Sequence, residues 1–215
     1  LKLYGSRICS DRQASPTPSA VRVSAMPSRP VTLEDTEHTH VKVLAVDEAI
    51  ALVQQVAAGN SKVQIIDVRS EIEHSGGHIR GARHVPYEDI LESAAAEAQG
   101  AELLASFEAA GAETVLVHCM YSQARGPAVA CSLASLAEAR GHRLEVCLLE
   151  GGFHAFVNKV HGSGDAMPAG GAGDLISGFK PERWRMTASN GLVEIEAVEA
   201  AEALGVEDFP AALSG

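Results

Sequence analysis

A chain of 215 residues has room for one sizeable core with flanking segments, and a net charge of −11 argues against a nucleic-acid partner. Hydrophobic residues make up 46% of it but aromatics only 4%, so the apolar content is largely Ala, Val and Leu, which suits an α/β domain. No apolar run reaches the roughly 20 residues that span a bilayer, so no membrane partner is expected.

Residues 1–30 carry Lys2, Arg7, Arg12, Arg22 and Arg29 against Asp11, a net of +4 that leaves −15 for the remainder. This Ser-, Pro- and Arg-rich stretch cannot bury a core. It has the composition of an organellar transit peptide or of a disordered tail, and both readings stay open. The first segment, 1–40, is therefore expected to be flexible. His38 and His40 stand there without a third ligand nearby, and no metal site is expected.

Val41–Val46 is a short strand candidate, and Asp47 is placed to cap a helix that Gly59-Asn60 closes. The β-branched run Val63–Arg69 predicts a central strand. A polar loop follows, then a helical stretch over 88–110 with a break expected at Gly100. Thr114–Val117 predicts the next strand, Gly126–Arg140 a helix, Leu144–Leu149 a strand and Phe153–Val160 a short helix. Strands alternating with helices across 41–161 imply a three-layer α/β domain around a central parallel sheet. Residues 162–215 read as a Gly-rich linker and a weakly ordered tail. Trp184 is expected to anchor back on the core, and Glu194–Leu204 to form an amphipathic helix.

The chemistry concentrates after the third strand candidate, in His118-Cys119-Met120-Tyr121-Ser122-Gln123-Ala124-Arg125-Gly126-Pro127. A loop between a strand's end and a helix's start can turn its N–H groups inward and cradle an oxyanion. Cys119 would sit at the base of that cradle and Arg125 at its rim, with Met120, Tyr121, Ser122, Gln123, Ala124 and Gly126 lining it. The helix dipole and the guanidinium both favour anionic sulfur, which makes Cys119 a nucleophile. Asp67 and Arg69 end a neighbouring strand and are read as support, Asp67 through bonds to loop backbone. His78 is read as a bridge between loops. His118 should point opposite to Cys119 and organise the loop. Cys131 and Cys147 are read as core, and the four cysteines have no disulfide-framework or zinc-finger spacing, so free thiols in a reducing compartment are expected.

Four motifs occur in order: Ile65-Ile66-Asp67-Val68-Arg69, Gly77-His78-Ile79-Arg80-Gly81-Ala82, the Cys119 loop, and Leu149-Glu150-Gly151-Gly152-Phe153. Over residues 41–160 the chain resembles the rhodanese superfamily, which implies a rhodanese-like catalytic domain over 41–161. Sulfurtransferases of that superfamily have four residues between Cys and Arg, whereas five separate Cys119 from Arg125. The longer loop followed by Gly126-Pro127 resembles the Cdc25 phosphatases and the eukaryotic (Acr2-type) arsenate reductases. The phosphatases carry glutamates where this chain has Met120 and Ala124, so the resemblance tilts toward arsenate reduction. No cofactor is expected to be bound, and glutathione with glutaredoxin would serve as reductant and partner. A Cdc25-like phosphatase acting on a phosphoprotein is the alternative, followed by a sulfurtransferase or a non-catalytic interaction domain. Val68 stands where Cdc25 proteins keep a second cysteine, so their protective disulfide cannot form. No Cys follows Phe153, so the zinc cluster of some plant relatives is not expected. The compartment implied is the cytoplasm or nucleus, or a plastid or mitochondrion if residues 1–30 are a transit peptide.

Overall fold

The structure is a computed structural model and describes residues 40–161, 175–187 and 191–195. Expectations for 1–39, for the linker over 162–174 and for most of the helix beyond Glu194 lie outside these residues.

Five parallel strands form the central sheet: β1 (Lys42–Leu44), β2 (Val63–Asp67), β4 (Arg83–His84), β5 (Thr114–His118) and β6 (Glu145–Leu149), in the order β1-β6-β5-β2-β4. The order follows from right-handed crossovers through helices on both faces. Alternation along the strands feeds two cores. Ile66, Val68, Val115, Val117, Val146 and Leu148 point to one, with α3 (Ala96–Ala110) and α4 (Arg125–Ala139). Ile65, Leu116, Cys147 and Leu149 point to the other, with α1 (Val46–Ala57) and α5 (Gly152–His161). A strand buried on both faces reads as a continuous apolar run, which is why β2, β5 and β6 were visible in the sequence.

Element ends differ from expectation for local reasons. Helix α1 begins one residue before Asp47, because Glu48 reaches back to accept the Ala45 N–H at 3.1 Å. The break in 88–110 falls after a π-helical turn, Glu88–Glu92, where the Ser93 hydroxyl donates to the Asp89 carbonyl at 2.9 Å. Gly100 continues α3 and lets it lie close to Leu136 of α4. Between β2 and β4 lie a short helix, α2 (Glu71–Ser75), and a two-residue strand, β3 (His78–Ile79).

Part of the expected tail packs on the domain. Strand β7 (Ile176–Ser177) pairs antiparallel with β3, and β8 (Trp184–Thr187) pairs antiparallel with β9 (Gly191–Glu194). Trp184 is buried, stacks on Phe179 and meets Phe153 edge-on, as an anchor should. Glu194 is the last residue of β9 rather than a helix start. Asn158 of α5 secures this hairpin, accepting from Leu192 N–H at 2.7 Å and donating to its carbonyl at 3.1 Å. Among the described residues no helix is long and apolar enough to cross a membrane.

Candidate active site

Strand β5 delivers Cys119 to the carboxyl end of the sheet, where a doubly wound fold opens its binding crevice. The Cys119 side chain belongs to the first core, and its sulfur accepts the Ser122 N–H at 3.2 Å. Helix α5 starts behind the loop. Its Phe153 N–H donates to the Cys119 carbonyl, and its His154 N–H to the Met120 carbonyl, both at 2.9 Å. Because a trans peptide aims its N–H opposite to its C=O, the N–H groups of Met120 and Tyr121 point away from α5, toward the side on which Cys119 lies. The approach of α5 is close: a Cβ on Gly152, at φ +58°, would fall 2.5 Å from the Met120 oxygen.

Ser122 holds a left-handed conformation at φ +53° while fully buried, a strain of the kind concentrated at functional loops. Helix α4 then starts at Arg125 with no side-chain cap, so its first-turn N–H groups remain for an anion. Gly126 lets that first turn meet the loop, since a Cβ there would lie 3.3 Å from Ser122 Oγ. Ala124 precedes the helix and Met120 is buried in the second core, so neither brings a carboxyl to the loop. Tyr121 packs against the His154 ring, and burial, then the charges of Glu194 and Glu73, push its hydroxyl pKa well up.

The supporting residues form one buried unit. Asp67 Oδ1 accepts the loop backbone N–H of Arg69 at 3.1 Å, and the carboxylate is also paired with the Arg69 guanidinium. Arg69 Nη2 donates to Asp67 Oδ2 at 2.6 Å, and both side chains are fully buried. Burial raises the Asp67 carboxyl pKa, but the ring of His118 and the guanidinium and hydrogen bonds of Arg69 reverse this and hold it far below the usual carboxylate range. Arg69 extends the pair by donating to the carbonyls of Glu73 and Gly77, and its guanidinium lies 4.0 Å from the Phe153 ring centre. His118 points into the second core opposite Cys119, with Nδ1 3.3 Å from the Cys119 carbonyl. Burial lowers its pKa and favours the neutral ring. His78 stacks on the ring of His74 in α2, with ring centres 4.1 Å apart.

One site residue escaped the sequence reading. Glu73 of α2 binds Arg125 as a fork, accepting from Nη1 at 2.6 Å and from Nη2 at 2.7 Å. A signal for it existed in the capping box Ser70-Glu71-Ile72-Glu73, in which Glu73 accepts the Ser70 N–H at 2.8 Å. Burial raises the Glu73 carboxyl pKa, but Arg125 and Ser70 outweigh burial and lower it overall. The same contact raises the Arg125 pKa further. The described residues hold no group of His, Cys, Asp and Glu suited to a metal ion.

A family model for the rhodanese-like domain matches residues 50–159, half of the chain. The chain belongs to the rhodanese-like domain family. The family's parallel sheet and flanking helices are those seen here. A relative from the yeast Saccharomyces cerevisiae, the CDC25-like phosphatase YCH1, is 32% identical over 125 residues, covering 57% of this rhodanese-like chain and 78% of the relative. A solved S. cerevisiae protein, Ygr203w, described as a homolog of single-domain rhodanese and the Cdc25 phosphatase catalytic domain, superposes with a TM-score of 0.53 at 28% identity, over 70% of this chain and 96% of that one. The As-Sb reductase of Leishmania major has the same fold, with a TM-score of 0.50 at 22% identity over 76% and 99%.

Proposed function

We propose that this rhodanese-like chain is a Cys-X5-Arg thiol enzyme that reduces arsenate. The observation carrying the proposal is the juxtaposition of the Cys119 sulfur, inward N–H groups and Arg125 in a loop whose own side chains include no acid. The buried Ser122 hydroxyl, which has no hydrogen-bond partner among the described residues, is a further donor for a bound oxyanion.

In the first step the Cys119 thiolate attacks arsenic, and an S–As bond forms as one arsenate oxygen leaves as water after gaining a proton. Loop N–H groups and Arg125 take the charge on the remaining oxygens. A glutathione thiolate then attacks the Cys119 sulfur. The S–As bond breaks with its electron pair staying on arsenic, so arsenic(V) becomes arsenic(III) and the two sulfurs form a mixed disulfide. Glutaredoxin and a second glutathione return Cys119 to the thiol. The described cysteines Cys119, Cys131 and Cys147 form no disulfide, which suits a reducing compartment such as the cytoplasm.

The test is arsenate-dependent NADPH oxidation coupled through glutathione reductase and glutaredoxin. Turnover by the wild type and its loss in Cys119→Ser are expected; no turnover, or turnover that survives this substitution, overturns the reading. The likeness to a protein described as a CDC25-like phosphatase favours phosphoester hydrolysis as the second reading. That reading predicts hydrolysis of a small aryl phosphate, abolished in Arg125→Ala, without arsenate turnover.

A further inference from the structure

Arsenate loses an oxygen as water only if a proton reaches that oxygen, and Met120 and Ala124 deny the loop an acid of its own. The carboxyl that comes to the site arrives from outside the loop, on α2, and lies against the residue that an oxyanion needs. Glu73 and Arg125 form a two-point ion pair, with Glu73 18% and Arg125 31% exposed. A tetrahedral dianion drawn to Arg125 therefore meets a carboxylate on the same guanidinium and the Cys119 sulfur beneath it. Three anionic groups on one half-buried cation repel one another, and protonation of one relieves the repulsion.

We propose that Glu73 is the proton carrier of this site: an incoming oxyanion replaces it on Arg125, Glu73 takes up a proton as it is displaced, and the neutral carboxyl gives that proton to the departing oxygen. The inference rests on the oxyanion reading of the loop. Atoms and charge balance: Cys119 thiolate, the hydrogen arsenate dianion and the Glu73 acid become the dianionic thiol–arsenate adduct, one water and the Glu73 carboxylate. The next substrate ion finds Glu73 back on Arg125.

The surroundings of Glu73 allow the exchange. On its own element only the Ser70 N–H and hydroxyl meet the carboxylate, the hydroxyl at 2.9 Å. From the loop and α4 it faces Arg125 and, through it, Cys119; from the π-helical turn Glu88 adds negative charge near Arg125. Tyr121 lies close enough for the Glu73 charge to act on its hydroxyl. Arg69 donates to the Glu73 backbone carbonyl, leaving the carboxyl to the other groups. Arg183 and Glu194 pair with each other beside Gly76, three residues on. Among the described residues Arg125 is thus the one cation bound to the carboxylate, and losing it leaves Glu73 with only its Ser70 hydrogen bonds beside the incoming dianion.

The experiment is calorimetric titration of the full chain carrying Cys119→Ser with sulfate, which is tetrahedral and fully ionised at pH 6, in two buffers of different ionisation enthalpy. Close to one proton taken up per sulfate bound is expected. With Glu73→Gln added, proton uptake should vanish and sulfate should bind about tenfold tighter, because the competitor for Arg125 is gone. Glu73→Asp keeps an acid and should keep the uptake, which separates lost chemistry from lost folding. In the arsenate assay, Glu73→Gln in the otherwise native chain should lower KM while lowering kcat by about 100-fold; a merely structural role would raise KM. Sulfate binding without proton uptake, uptake that persists in Glu73→Gln, or an unchanged kcat overturns the proposal. The titration needs no turnover, so failure of the arsenate reading alone would leave the proton uptake intact.

Discussion

Gly152 shows how one residue fixes the chemistry of another. A Cβ on it would fall 2.5 Å from the Met120 oxygen and 2.6 Å from the Cys119 oxygen, so any side chain there would drive these carbonyls from α5. Those carbonyls set the direction of the N–H groups that cradle the oxyanion. Gly152→Ala should therefore cost roughly 100-fold in kcat/KM, the scale of an ångström of misplacement at a site. It should also destabilise the fold by more than about 1 kcal/mol, because alanine is strained at positive φ. Kinetics together with urea unfolding checks both, and unchanged kinetics would contradict the role. The buried Asp67–Arg69 pair acts at the same scale but on stability. Asp67→Asn leaves a buried guanidinium without its charge partner and should cost about 3–5 kcal/mol, read from the shift in urea midpoint.

At the scale of elements, what was legible in the sequence was what repeats. The apolar runs of β2, β5 and β6 and the Cys119 loop with its following helix were readable because burial on both sheet faces and loop spacing leave a continuous signal. Helix α2 is five residues long, and β3 and β7 are two residues each, too short for any periodicity. Contacts between distant segments leave no local signature at all. Glu73 thus escaped notice, lying 52 residues from Arg125. The C-terminal hairpin was missed for the same reason. Its Arg183 donates to the Ile72 carbonyl at 2.8 Å and the Ser75 hydroxyl at 3.1 Å, while pairing with the buried Glu194. The Trp184 indole donates to the Gly76 carbonyl. These bonds grip the end of α2, the helix that carries Glu73. Arg183→Ala should lower stability by about 2 kcal/mol, below the range for a fully buried pair because Arg183 is partly exposed. It should also raise amide exchange across α2 more than across α3; equal protection in the two helices would argue against the grip.

The response of the whole molecule to acid follows from groups on both sides of the sheet. Burial lowers the pKa of His118 and His161, and burial together with the nearby His78 brings His74 from 6.5 down to about 4. Each is held neutral in the fold but charges freely once unfolded. Between pH 6.5 and about 4 the unfolded chain therefore binds more protons than the native one, so stability falls as the pH falls. Asp67 and Glu73 have the opposite ionic preference, since both are held as carboxylates below their ordinary values of 3.8 and 4.5. Their contribution is present above those values and is lost as pH drops through the lower folded ones. Acid should thus act in two stages, histidines first and the paired carboxylates after. Urea midpoints measured from pH 8 to 3 should be level above pH 7, decline from about 6.5, and fall further below about 4. In His74→Gln the first decline should become shallower, because one group that charges only on unfolding is gone. Asp67→Asn, already less stable, should lose part of the second fall instead. A first decline of unchanged slope in His74→Gln would remove His74 from this account and leave it to the histidines of the second core and α5.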